Sequence, residues 1–283
     1  MQPIEIFYLN LASQVTRRET LVRSYESCDF APHWRLHRFD AIGVDHDLVR
    51  DIPGTMSATN KACYLSALIC LRNSLENDDH LMIIDDDMEF GREAQRVVDS
   101  VVQILDESEW DVLLTDAIIP DVLDMPLVFW IWYKYKSRQD YAIVDLTTRP
   151  FTFCDGSMII NRRAKHRVYA MMATNDLSIP WDIATRHLIK KGDLRSRLVL
   201  PFLTAPSKCA DVSLINPDLD RPDLLQNMLQ NQLRRMFWID GGKEPVDGDW
   251  LHQTTGEVFN RDAAAFSALM QPILSLQCRY LTC

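Results

Sequence analysis

The chain has 283 residues, of which 47% are hydrophobic and 25% charged, with only 9 Gly and 13 Pro. Those values exclude disorder and fibrous repeats and fit one large domain or two small ones. Forty acidic residues against 30 basic give a formal net charge of -10, so no general nucleic-acid surface is expected, because phosphate binding needs clustered Lys and Arg.

Elements follow from the spacing of apolar residues. Ile4–Leu11 is rich in β-branched and aromatic residues and reads as a strand, with a helix predicted through Thr16–Val22. Trp34–Phe39 fits a short strand in which large apolar and basic residues alternate, and Gly43–Met56 reads as irregular, with Pro53-Gly54 as a turn. Ser57 can cap a helix carrying Ala58, Ala62, Leu65, Leu68 and Ile69. His80–Ile84 reads as a buried strand running straight into Asp85-Asp86-Asp87. Gly91 opens a helix whose Ala94, Val97, Val98, Val101 and Val102 share a face, and Asp111–Asp116 is the next strand.

This alternation of strand and helix predicts an α/β fold, a mixed but mostly parallel sheet flanked by helices. Met125–Tyr133, followed by Lys134 and Lys136, reads either as a core strand or as a mobile lid or membrane-facing patch, since aromatics beside Lys suit a bilayer interface. Further strands are expected at Tyr141–Leu146, Gly156–Asn161 and Leu198–Leu203. Helices are expected at Arg163–Ala173, at Trp181–Lys191 ended by Gly192, and after Asp220 through Met236. Residues 1–205 are expected to form the main domain, and 206–283 a helical C-terminal extension packed on it.

The seven cysteines are odd in number, and none shows C-x-x-C spacing. Free thiols in a reducing compartment are the simpler reading. The N-terminus has no basic region followed by an apolar one, so no leader is expected and the cytoplasm is the expected location, with peripheral membrane contact left open.

The acidic triplet is the strongest functional signal. Ligands of open α/β sheets bind where strands end, and adjacent carboxylates repel one another unless a cation relieves them. Oxygen ligands favour Mg²⁺ or Mn²⁺. On an extended backbone Asp85 and Asp87 would share one side, with Asp86 on the other. Such a pair suits a metal bridging a diphosphate, and the remaining carboxylate suits a ribose. The alternative is a solvated turn.

These residues resemble glycosyltransferase family 25, the lipooligosaccharide sugar transferases and collagen galactosyltransferases. Asn10-Leu11 with Arg17 is similar to the family's first-strand motif, and Asp85-Asp86-Asp87 to its E-D-D. Cys63, Leu65 and Ser66 match its middle helix, where Asn60, Ala62 and Ala67 depart from it. Gly156-Ser157 and Pro180-Trp181-Asp182 match its later motifs, so the likeness runs over residues 4–205.

The resemblance implies a GT-A type nucleotide-sugar-binding fold. It also implies a metal-dependent transferase moving a sugar, from a UDP-sugar by preference, to a glycan or lipid-linked hydroxyl. Asp87 would be the main ligand of Mn²⁺ or Mg²⁺, and Asp85 a second ligand or the ribose contact. His252 would be a late third ligand. Asn10, Leu11, Arg17, Arg18 and Asp86 would line the nucleotide, although Arg17 and Arg18 also read as an exposed helix start.

An inverting reaction needs a base for the acceptor hydroxyl. Asp182, beside a Trp181 able to stack on a sugar, and Asp155 are the candidates, each alternatively a cap or turn residue; Asp116 ranks behind them. Lys243, after Gly241-Gly242, could meet a phosphate. Three competing readings remain: a D-x-D-x-[TV] phosphatase, which would need Thr or Val where Glu89 stands, a nucleotidyltransferase on the same aspartates, and a non-catalytic sugar-binding protein.

Overall fold

In the segment Ile4–Asn10, Ile4, Ile6 and Tyr8 turn one face inward, and this alternation makes it a strand, β1. The computed structural model describes residues 2–52, 54–119, 124–136, 138–148, 153–154, 156–174, 178–211 and 221–241. After β1 come α1 (Val15–Ser27), β2 (Trp34–Asp40), α2 (Asp47–Arg50), α3 (Ala58–Asn73), β3 (His80–Asp85), β4 (Met88–Phe90) and α4 (Ala94–Ile104). Then follow β5 (Val112–Leu114), β6 (Ala117–Ile118), α5 (Met125–Lys136), β7 (Ala142–Asp145), β8 (Phe153–Cys154) and β9 (Ser157–Ile160). The described part closes with α6 (Lys165–Thr174), α7 (Trp181–Lys191), β10 (Ser196–Leu200), β11 (Thr204–Pro206), a 3-10 turn at Lys208–Asp211 and α8 (Arg221–Phe237).

Seven strands form one sheet in the order β2-β1-β3-β9-β5-β10-β7. β1 lies parallel to β2 and β3, and β10 parallel to β5. β9 runs antiparallel between β3 and β5, and β7 antiparallel at the far edge, so five of the seven strands point one way. The architecture is therefore mixed α/β, a mostly parallel sheet flanked by helices.

Its main core joins Ile6, Met82, Ile84, Leu113, Ile159 and Val199 of the sheet to Leu21 of α1 and Val97, Val98 and Val101 of α4. β3 is buried at every position from His80 to Ile84, which is why it reads as a continuous apolar run rather than an alternating one.

Local signals place several helix ends. The Ser57 hydroxyl accepts from the Asn60 N–H at 3.2 Å and caps α3. Gly192, at φ 80°, takes the left-handed conformation that ends α7.

Two segments differ from expectation. Gly43–Met56, read as irregular, contains the short helix α2. Met125–Tyr133 is a helix, not a core strand: Met125, Val128, Phe129 and Trp132 are buried at i, i+3, i+4 and i+7, while Trp130 is 55% exposed. Leu127 and Ile131, half-buried between those faces, fill the positions that would otherwise show the helical period in the sequence.

The first compact unit spans Met1–Gly241, and Gly242–Cys283 form a second that lies outside the described residues. β11, the 3-10 turn and α8 belong to the first unit. Cys28, Cys63, Cys70 and Cys209 are free thiols. Among the described residues no helix is long and apolar enough to cross a membrane.

Candidate functional site

Parallel pairing sets the site. Tyr8 lies opposite Arg38 and Ile84, Leu9 opposite Asp85, and Asn10 opposite Asp40. The C-terminal ends of β1, β2 and β3 therefore leave the sheet together, on the edge where open α/β sheets bind ligands. α1 begins five residues after β1 ends, so Arg17 and Arg18 in its first turn return to that edge.

Asp86 and Asp87 form a tight turn between β3 and β4. β4 pairs antiparallel with β11, and the Ser207 N–H donates to the Asp87 carbonyl at 2.7 Å, pinning the turn from its far side.

The side chains interlock. Asn10, wholly buried, donates through Nδ2 to Asp86 Oδ2 at 2.6 Å and to the Gln14 carbonyl at 3.0 Å. Arg17 donates through Nη1 to Asp87 Oδ2 at 2.8 Å and to Asp86 Oδ1 at 3.4 Å, and through Nη2 to the Cys209 carbonyl at 3.1 Å. Burial pushes the Asp86 carboxyl above its ordinary range, and the Asn10 hydrogen bond and the Arg17 charge pull it back. Burial likewise raises the Tyr8 hydroxyl, while Arg38 and Arg18 oppose that rise.

Asn10, Arg17, Asp86 and Asp87 thus come together. Two details differ from the sequence reading. Side-chain alternation stops at Asp85, because the chain turns at Asp86 and both following carboxylates meet one guanidinium. Arg17 is 9% exposed, not a solvated helix start.

The remaining candidates lie as follows. Asp85 is held through its N–H by the Gly156 carbonyl at 2.7 Å. The Leu11 carbonyl accepts from the Gln14 N–H at 2.9 Å, and Arg18 is half-buried. Asp182 sits in the first turn of α7, where Pro180 rather than Asp182 holds the cap position, and Trp181 stands edge-on to Tyr64 of α3, with ring centres 5.3 Å apart. Asp116 is wholly buried against Arg234, which commits its carboxylate to a structural pair rather than to a base facing an acceptor. Asp155, Lys243 and His252 lie outside the described residues.

No group of three or more His, Cys, Asp or Glu gathers as a metal cage among the described residues. Mg²⁺ needs no such cage, because one or two carboxylates plus substrate phosphates suffice. The carboxylate oxygens at the end of β3 fit that hard-cation chemistry.

Sequence reasoning missed Arg38, which donates through Nε to Asn10 Oδ1 at 3.0 Å and through Nη2 to the Asn10 carbonyl at 3.4 Å. Its only signal was a basic residue near the end of a strand. The Ser207–Cys209 segment that closes on Asp87 and Arg17 carried no signal.

No protein-family model matches the chain, and no curated protein matches it. Among solved structures, a crystal structure of an active-site mutant of LgtC is similar at 12% sequence identity, with a TM-score of 0.38, over 69% of this chain and 71% of that one. That likeness is too slight to transfer any property to this chain.

Proposed function

We propose that the protein is a metal-dependent glycosyltransferase of GT-A type that binds a nucleotide-diphosphate sugar, by preference a UDP-sugar, at the edge formed by β1, β2 and β3. One observation carries this reading: Arg17 and Asn10 converge on the Asp86–Asp87 turn where a buried parallel strand ends. A cation-and-carboxylate cluster in that position suits a diphosphate and its counter-ion.

Asp85 and Asp87 would hold Mn²⁺ or Mg²⁺, with His252 as a further ligand. When bound, the metal neutralises charge developing on the leaving diphosphate. Arg17 and Arg18 add fixed positive charge at the same edge, and Asp86, held in place by the buried Asn10, suits a ribose hydroxyl. Asp182 or Asp155 would take the proton of a glycan or lipid-linked acceptor hydroxyl in an inverting transfer, with Trp181 beside the sugar.

A thermal-shift screen of UDP and GDP, with and without Mn²⁺, tests the reading. UDP with Mn²⁺ is expected to raise the melting temperature, and Asp87→Ala to abolish the shift. Stabilisation by neither nucleotide under either condition overturns the donor site.

A further inference from the structure

We infer that Arg38 is a positioning residue of the donor site, acting through the Asn10 amide to hold the Asp86 carboxylate in place; the inference rests on the donor-site reading above. The chemistry of the three groups fixes the direction of every bond. A guanidinium can only donate and an ionised carboxylate can only accept, whereas a primary amide does one at each end. Asn10 lies between them, presenting Oδ1 to Arg38 Nε at 3.0 Å and Nδ2 to Asp86 Oδ2 at 2.6 Å. Turning the amide over would set its NH₂ against the guanidinium and its oxygen against the carboxylate, so both contacts would become repulsive.

Arg38 is itself held on both sides. Its Nη2 reaches Asp40 Oδ1 at 2.6 Å and the Asn10 carbonyl at 3.4 Å. Beyond Asn10 the chain of contacts continues from Asp86 to Arg17 Nη1 and on to Asp87 Oδ2. One connected set of bonds therefore runs from β2, through β1, to the turn after β3. Asn10 is wholly buried and Asp86 is 7% exposed, so neither can exchange its partner for bulk water at no cost. With Arg38 removed, the Asn10 oxygen loses the donor that selects its orientation, and the amide's hold on Asp86 loosens. Arg38 keeps 27% of its side chain exposed, so a direct contact with the nucleotide is the competing explanation, and the experiment must separate the two.

A double-mutant cycle does so. UDP with Mn²⁺ is titrated calorimetrically into the wild type, Arg38→Met, Asn10→Ala and the double variant. Arg38→Met is expected to weaken binding by roughly tenfold in the wild-type background, the scale of one lost hydrogen bond to a charged group. In the Asn10→Ala background the same substitution is expected to cost less than about twofold. A second measurement needs no nucleotide: the Asn10 side-chain amide protons are expected to exchange slowly in the wild type, where the group is buried and both are donated, and faster in Arg38→Met. An equal loss of affinity in both backgrounds assigns Arg38 to direct ligand contact and overturns the positioning role. Unchanged affinity and unchanged amide exchange in a folded Arg38→Met also overturn it. A wild type that binds no nucleotide removes the donor site, and this role with it, which distinguishes that failure from the other two.

Discussion

Arg234 of α8 donates through Nε to both carboxylate oxygens of Asp116, each at 3.0 Å, and the two side chains are 5% and 0% exposed. The pair joins the last described helix to the chain just after β5. Arg234 Nη2 also meets the Met88 sulfur at 3.4 Å, so the contact reaches β4, the strand that follows the Asp86–Asp87 turn.

Removing one partner of such a pair leaves a buried charge without compensation, at a cost of about 3–5 kcal/mol. Asp116→Leu and Arg234→Met are each expected to lower the unfolding free energy measured in urea by that scale. The double variant Asp116→Leu/Arg234→Met is expected to lie well above the sum of the single losses, because no orphan charge remains. Additive losses in the unfolding curves would contradict this account.

Arg17 carries a different kind of load. It neutralises Asp86 and Asp87 and satisfies the Cys209 carbonyl, joining α1, the β3–β4 turn and the segment after β11. Arg17→Met is expected to cost about 2–4 kcal/mol at neutral pH, from lost charge-assisted hydrogen bonds and exposed carboxylate repulsion. The deficit should shrink in acid. Burial already raises the Asp86 carboxyl, and without Arg17 it takes up a proton more readily still, which removes the repulsion. Urea curves at neutral and mildly acidic pH measure the difference, and a deficit that grew in acid would refute the electrostatic explanation.

What the sequence disclosed here was local. The β-branched and aromatic run from Ile4, the Ser57 cap and the Gly192 helix end each act within a few residues, and each appears in the fold where the pattern puts it. The position of the acidic triplet followed from the apolar run before it. Its partners did not. Arg17 meets Asp87 across 70 positions of chain, and Arg38 reaches Asn10 only because β2 lies parallel to β1 in one particular register. Non-local pairing leaves no mark in a short window.

The helix α5 shows the opposite failure, a local pattern that was too apolar to show its period. It also yields a direct check, because its tryptophans fall on different faces. Trp132 is 5% exposed and stands edge-on to Phe237, while Trp130 is 55% exposed. Trp132→Ala is expected to cost about 3–5 kcal/mol as a large core truncation. Trp130→Ser is expected to change stability by about 0.5 kcal/mol or less, as an exposed site. A strand would put residues 130 and 132 on the same face and make the two losses alike, so paired unfolding curves discriminate between the two structures.

His80 opens β3 and is expected to make the fold sensitive to acid. It is wholly buried, its ring stacks on Trp110 at 5.4 Å, and its Nδ1 accepts from the Arg162 N–H at 3.2 Å. Burial is the main cause that pushes its pKa down from 6.5 to about 4, opposed by the Glu107 charge and aided by those of Arg162 and Lys165. Between those two values the unfolded chain binds the proton that the folded chain refuses. His80 therefore contributes stability that is fully present above about pH 6.5 and is lost progressively as the pH falls toward 4, by a total of about 3 kcal/mol. His80→Phe keeps the stacked ring but cannot titrate. Its stability should fall less steeply than that of the wild type from pH 6.5 to 4, because the carboxylates still contribute their own slope. Above pH 7 it should be the less stable of the two, because the Arg162 N–H loses its acceptor. Parallel slopes for the two proteins across that window would show that His80 is not the residue responsible.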